Sequence, residues 1–200
     1  MKIRYNSPTV LTFAFICTAV LLLDQTVLKG LTQNFFMVPG RGNFNIHSIH
    51  NWVTLFTHII GHANLQHLIG NFSLILLIGP ILEATYGSRA LLLMITVTAV
   101  VTGAFHALLF PSYLCGASGV VFMMILLASF TNINKGEVPL TFILILILYL
   151  GGEIIDAFKE DDVSQFAHIL GGFCGSLFGF FKPAKKRGGK TVVYNNTEVE

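Results

Sequence analysis

The chain has 200 residues, of which 54% are hydrophobic and 11% charged, with a mean hydropathy of +0.72. A soluble domain carries about 25% charged residues, so this composition excludes an ordinary soluble protein and places the chain in the polytopic membrane class. The net charge of +2 comes with no nucleic-acid signature.

Six spans are predicted in chain order, at about 8–28, 66–86, 89–110, 116–131, 138–152 and 164–181. The apolar run of the first is too long for the core of a signal peptide, and no small-residue cleavage site follows it, so it reads as a helix. Asp24 and Gln25 near its far end need loop contacts or snorkelling. Residues 30–65 mix Phe, Ile, His and Trp52, and predict a structured, partly embedded first loop with short helices. Cys17, Cys115 and Cys174 lie in apolar blocks and read as small core residues. The expected fold class is an all-α membrane bundle of six transmembrane helices. It forms a single domain over 1–182, followed by a short basic and polar tail at 183–200.

Lys and Arg set the orientation. Lys2, Arg4, Arg89, Lys135, Lys182, Lys185, Lys186, Arg187 and Lys190 fall on one side, and Lys29, Arg41 and Lys159 on the other. The excess predicts both termini in the cytoplasm. The acidic loop 153–162, "EIIDAFKEDD", then lies outside and reads as a solvated cap.

This topology brings Ser118, His168, His67 and Asn71 to the outer ends of three different spans. Polar groups at such depth are costly and face a protein interior or a wet cavity. His67 and Asn71 are four apart and share a helix face. Gly171 and Gly175 share a face with His168, and glycines there let a neighbouring helix come close. If that neighbour is the fourth span, with Gly116 and Gly119 flanking Ser118, hydroxyl and imidazole meet. The fourth span is short, about 24 Å at 1.5 Å per residue, so its outer end begins below the surface, reached by a dipping loop. A hydroxyl beside an imidazole is the minimum for nucleophilic acyl transfer. No acid is placed to orient His168, so the expectation is a dyad. Asn71, His67 and the Ser118 N–H are the candidate oxyanion donors.

Three separated motifs, "HANLQHLIGN" (His62, His67, Asn71), "GASG" (Gly116 to Gly119) and "AHILGGFCG" (His168, Gly171, Gly175), together resemble the rhomboid intramembrane serine protease family over about residues 50–182. Glu83 before "YGS" is similar to a further family position. The resemblance implies Ser118 as nucleophile, His168 as base, Asn71 and His67 at the oxyanion, and His62 as a brace for the first loop. It implies transmembrane protein substrates, cut where a helix has unwound to expose its carbonyls. Two departures stand out. A Trp-Arg pair common in the family's first loop is replaced by Val53-Thr54, and a Tyr that stacks on the catalytic imidazole is replaced by Phe122.

"GASG" alone is a packing seam. His58 and His62 are spaced like metal ligands, but Ile59 stands where a zinc protease needs Glu, so no metal and no cofactor is expected. His47, His50 and His106 read as loop or interface histidines. An inactive rhomboid-like helix-binding protein is the alternative function. A transporter is disfavoured because the polar cluster does not continue inward and no internal repeat is seen. The expected setting is a bacterial inner membrane, with the lipid bilayer and membrane-protein substrates as partners and no nucleic acid.

Overall fold

In a computed structural model, residues 5–133, 140, 143, 144, 147 and 162–181 are described. They form α1 (Pro8–Thr26), α2 (Leu31–Phe35), α3 (Ile49–Thr57), α4 (Leu65–Tyr86), α5 (Ser88–Leu109), α6 (Ser118–Ile133) and α7 (Asp162–Phe181), with no β-strand among them beyond one isolated bridge. The fold is an all-α membrane bundle. Three helices, α1, α4 and α5, are long and apolar enough to cross a membrane, and α6 and α7 carry shorter apolar stretches. The predicted span at 138–152 falls mostly outside the described residues. Within it, Leu140, Ile143, Leu144 and Ile147 are helical and exposed, a spacing that marks one apolar face turned outward. The acidic loop, apart from Asp162 at the start of α7, and the basic tail lie outside the described residues.

α6 is the central helix. Val120 to Ile125 are all buried, which is what a helix apolar on every side requires of its neighbours. α1 is peripheral: only Val10, Cys17 and Leu21 are buried along it, while Phe15, Leu22 and Leu23 are exposed. Leucines left outward in this number suit lipid rather than water.

Two contacts fasten α1 to α4. Gly79 leaves room for Val10, whose Cγ2 would lie 2.7 Å from a Cβ at that position. One turn later Glu83, buried in α4, accepts from the N–H groups of Thr9 (2.9 Å) and Val10 (3.1 Å). A carboxylate there satisfies orphan donors and opposes the positive end of the helix dipole. Glu83 is therefore the cap of α1.

The first loop is ordered by local chemistry. Asp24 accepts from Thr32 N at 3.0 Å, so the polar end of α1 is satisfied within the loop. Ser48 caps α3 and Asn64 caps α4 through bonds from Asn51 N (3.4 Å) and His67 N (2.8 Å). Trp52 donates to the Ile46 carbonyl and stands edge-on to Phe44. In the Val53-Thr54 pair, Thr54 is fully buried and donates to Asn51 O, whereas Val53 is exposed. Cys17 and Cys174 are buried, Cys115 is partly so, and all three are free thiols.

Candidate active site

Ser118 is the first residue of α6. The helix begins there because the preceding loop is pinned from two sides. Val38 and Leu114 exchange backbone hydrogen bonds of 2.9 and 3.0 Å, and Gly116 N donates to His58 O at 2.9 Å. Gly116 sits at φ +117°, a conformation that a side chain rarely tolerates. The N–H groups of the first turn of α6, beginning at Ser118, have no partner within the helix.

α7 lies against α6 through glycine. A Cβ on Gly171 would collide with the carbonyl of Gly119, and one on Gly175 with the carbonyl of Met123. At this approach Ala167 O would be 3.3 Å from a Cβ on Gly119. His168 is 3% exposed, and its ring stacks on Phe122 at 4.4 Å and 14°. Phe122 follows Ser118 by one turn on the same helix, so the stack sets the imidazole beside the start of α6. The phenyl ring keeps the contact that the sequence predicted without a phenolic hydroxyl.

α4 supplies the third wall. The His67 ring covers Gly116, where a Cβ would lie 2.6 Å from Cε1 and 2.7 Å from Nε2, and the Asn71 amide nitrogen stands 3.8 Å from the same point. His67 is also within electrostatic reach of His168. Asn71 is 3% exposed, and its Nδ2 has no hydrogen-bond acceptor among the described residues. A buried unpaired amide costs ~1–3 kcal/mol. His62 packs against both His67 (5.1 Å) and Phe72 (5.8 Å) and bonds to Ile60 O at 3.1 Å. It therefore braces the His67 ring from within the first loop. Glu83 is at the far end of α4 with α1, away from His168.

A family model described as Rhomboid domain matches residues 50–185. The chain belongs to the rhomboid family. It is 36% identical over 137 residues to Rhomboid-related protein 1 of Caenorhabditis elegans, covering 60% of this chain and 36% of that one. It is 25% identical over 127 residues to the Rhomboid protease GlpG of Haemophilus influenzae, covering 62% and 66%. It is 26% identical over 181 residues to the Rhomboid protease GluP of Bacillus subtilis, covering 86% and 34%. The matched region spans between about a third and two thirds of the length of these relatives.

Two histidines of this rhomboid do more than the sequence predicted. His106 is not a loop or interface residue. It is buried in α5 and bonds through Nε2 to Ser112 O at 2.8 Å. His58 bonds through Nε2 to Ala99 O at 3.0 Å, in space left by Gly103, while its own carbonyl holds Gly116. Polar side chains also continue inward along α5, contrary to expectation. Thr98, Thr102 and His106 form one buried stripe. It makes no pathway, because the Thr98 and Thr102 hydroxyls bond to carbonyls of α5 itself. The signal was available as polar residues at i, i+4 and i+8 within an apolar span.

His58 and His62 lie in the first loop, outside the spans, and burial pushes each imidazole down to about 4. Both rings are neutral at pH 7, and His62 then donates from Nδ1 to Ile60 O. An unfolded histidine titrates near pH 6.5. The folded protein therefore binds fewer protons than the unfolded chain between 6.5 and 4. Stability present above pH 6.5 is lost as pH falls through that window. Thermal unfolding in detergent, followed by Trp52 fluorescence, is expected to shift to lower temperature from pH 7 to pH 4.5. A His58→Gln, His62→Gln double variant should show a shallower pH dependence. An equally steep one would assign the acid sensitivity elsewhere.

Proposed function

We propose that this rhomboid is an intramembrane serine endopeptidase that cuts transmembrane segments of membrane proteins, with Ser118 as nucleophile and His168 as general base. Ser118 Oγ attacks the scissile carbonyl while His168 accepts its proton. The oxyanion that forms is met by the Asn71 amide, a His67 ring N–H and the Ser118 backbone N–H, with the positive end of α6 behind them. His168 then gives the proton to the leaving amine. Water hydrolyses the acyl-enzyme by the same steps in reverse order of proton transfer. No carboxylate takes part, and the Phe122 stack orients the imidazole. Gly116, Gly119, Gly171 and Gly175 serve by absence, since each removed side chain lets a helix or ring come close.

The observation that carries this reading is the buried Asn71 amide, unpaired among the described residues, beside the His67 ring and the start of α6. The Lys and Arg distribution supports both termini in the cytoplasm, and a bacterial inner membrane is the proposed location. A fluorophosphonate probe tests the nucleophile directly. Wild-type protein in liposomes should be labelled and should cleave a model transmembrane substrate, and Ser118→Ala should lose both. Binding of the substrate without labelling or cleavage by wild type would instead identify an inactive helix-binding rhomboid.

A further inference from the structure

A groove of about 420 Å³ opens on the lipid-facing side between α1 and α5, away from Ser118. Phe13 and Ile16 line one wall, Leu92 and Ile95 the other, and Ile59 and Ile60 of the first loop close one end. The other end is marked by Thr9 and Ser88, with exposed Arg89 next along the chain. Both α1 and α5 start there. α4 begins near the Ser118 face and returns the chain to the opposite end, so the groove opens toward the leaflet opposite the candidate active site.

We propose that this groove holds an acyl chain of an anionic phospholipid from that leaflet, with its phosphate at Arg89 and the first-turn N–H groups of α5. From Ser88 to Thr96 the groove runs about 12 Å at 1.5 Å per residue, and its walls are apolar apart from Thr12 and Thr96. A single hydrocarbon chain has the right section and needs no polar partner along the walls. Shape also sets the direction of entry, because Ile59 and Ile60 block the loop end.

Charge at the mouth selects the headgroup. Arg89 offers a cation, and the first-turn N–H groups of α5 have no side-chain cap, since Gly87 stands at the cap position. Glu83, whose partners Thr9 and Ser88 also line the mouth, is buried and committed to the N–H groups of Thr9 and Val10 and to the Ser88 side chain, so Arg89 supplies the charge there. The proposal is independent of the catalytic reading and survives if the protein cleaves nothing.

The test is native mass spectrometry of the full chain in detergent, titrated with dioleoyl phosphatidylglycerol or dioleoyl phosphatidylcholine. The wild type is expected to retain the anionic lipid about fivefold better, the preference that one arginine near an anionic headgroup provides. Arg89→Ala should equalise the two lipids. Thr96→Trp, which fills the groove, should reduce retention of phosphatidylglycerol at least tenfold, whereas Leu93→Trp, outside the groove, should not. Equal retention of both lipids by wild type, or an undiminished preference in the surface variant Arg89→Ala, overturns the proposal. So does normal retention by Thr96→Trp.

Discussion

Ser118→Ala is expected to lower kcat/KM on a transmembrane substrate by ~10⁴-fold or more, and His168→Ala by a similar factor. The double variant should be no worse than either single one, because in the proposed mechanism hydroxyl and imidazole act as one unit and removing either leaves the other idle. Asn71→Ala should cost less, ~10²–10³-fold in kcat, the usual loss for one oxyanion donor. KM should move little in all of them, since none of these groups grips the substrate helix before the chemistry. Additive losses in the double variant would mean that Ser118 and His168 work in separate steps, which the dyad does not allow. The same series read by fluorophosphonate labelling separates loss of nucleophilicity from loss of substrate entry.

The second large effect concerns the seam between α6 and α7. Gly171→Ala and Gly175→Ala each place a methyl group into a backbone carbonyl of α6, at Gly119 and Met123. Carbonyls inside a helix cannot swing aside, so the helices must part. Overpacking costs ~1–3 kcal/mol even where side chains can yield, and these sites yield less. Both variants should unfold at clearly lower temperature in detergent and lose cleavage, because His168 moves away with α7. Gly172→Ala is the internal control. Its Cβ would meet only the Leu126 side chain, at 3.5 Å, an ordinary contact. It should match wild type or exceed it slightly, since alanine favours the helix. If Gly172→Ala proved as damaging as Gly171→Ala, helix propensity or insertion rather than close approach would govern the seam.

Much of the bundle was legible in the chain because lipid makes the rule simple. A span must be long, apolar and internally hydrogen-bonded, and the predicted 66–86 and 89–110 match α4 and α5 to within one residue at each end. The fourth span shows where this fails. Its predicted start at 116 included Gly116 and Ala117, but the helix begins at Ser118, because the bond from Gly116 to His58 holds the loop in a form that no helix can share. Hydropathy does not register a bond made to a residue 58 positions earlier.

The site divides in the same way. Ser118, His168, His67 and Asn71 could be read from three local motifs, since each spacing reports one helix face. The place of His106 was misjudged and the work of His58 went unseen because both act through backbone carbonyls, of Ala99, Ser112 and His58 itself, and carbonyls have no signature in sequence. Glu83 was visible as a position but not as the cap of α1, whose start lies 74 residues away. By itself, then, the sequence determined the place of the apolar helices among the described residues, the all-α class, and which polar residues stand at one end. Only the tertiary structure decided which glycines lie under which carbonyls, that the first loop clamps the loop before Ser118, and that the Asn71 donor has no acceptor among the described residues. The reason is physical. Burial and periodicity are properties of a segment, whereas close approach and hydrogen-bond satisfaction belong to pairs of segments, and these exist only after the helices have packed.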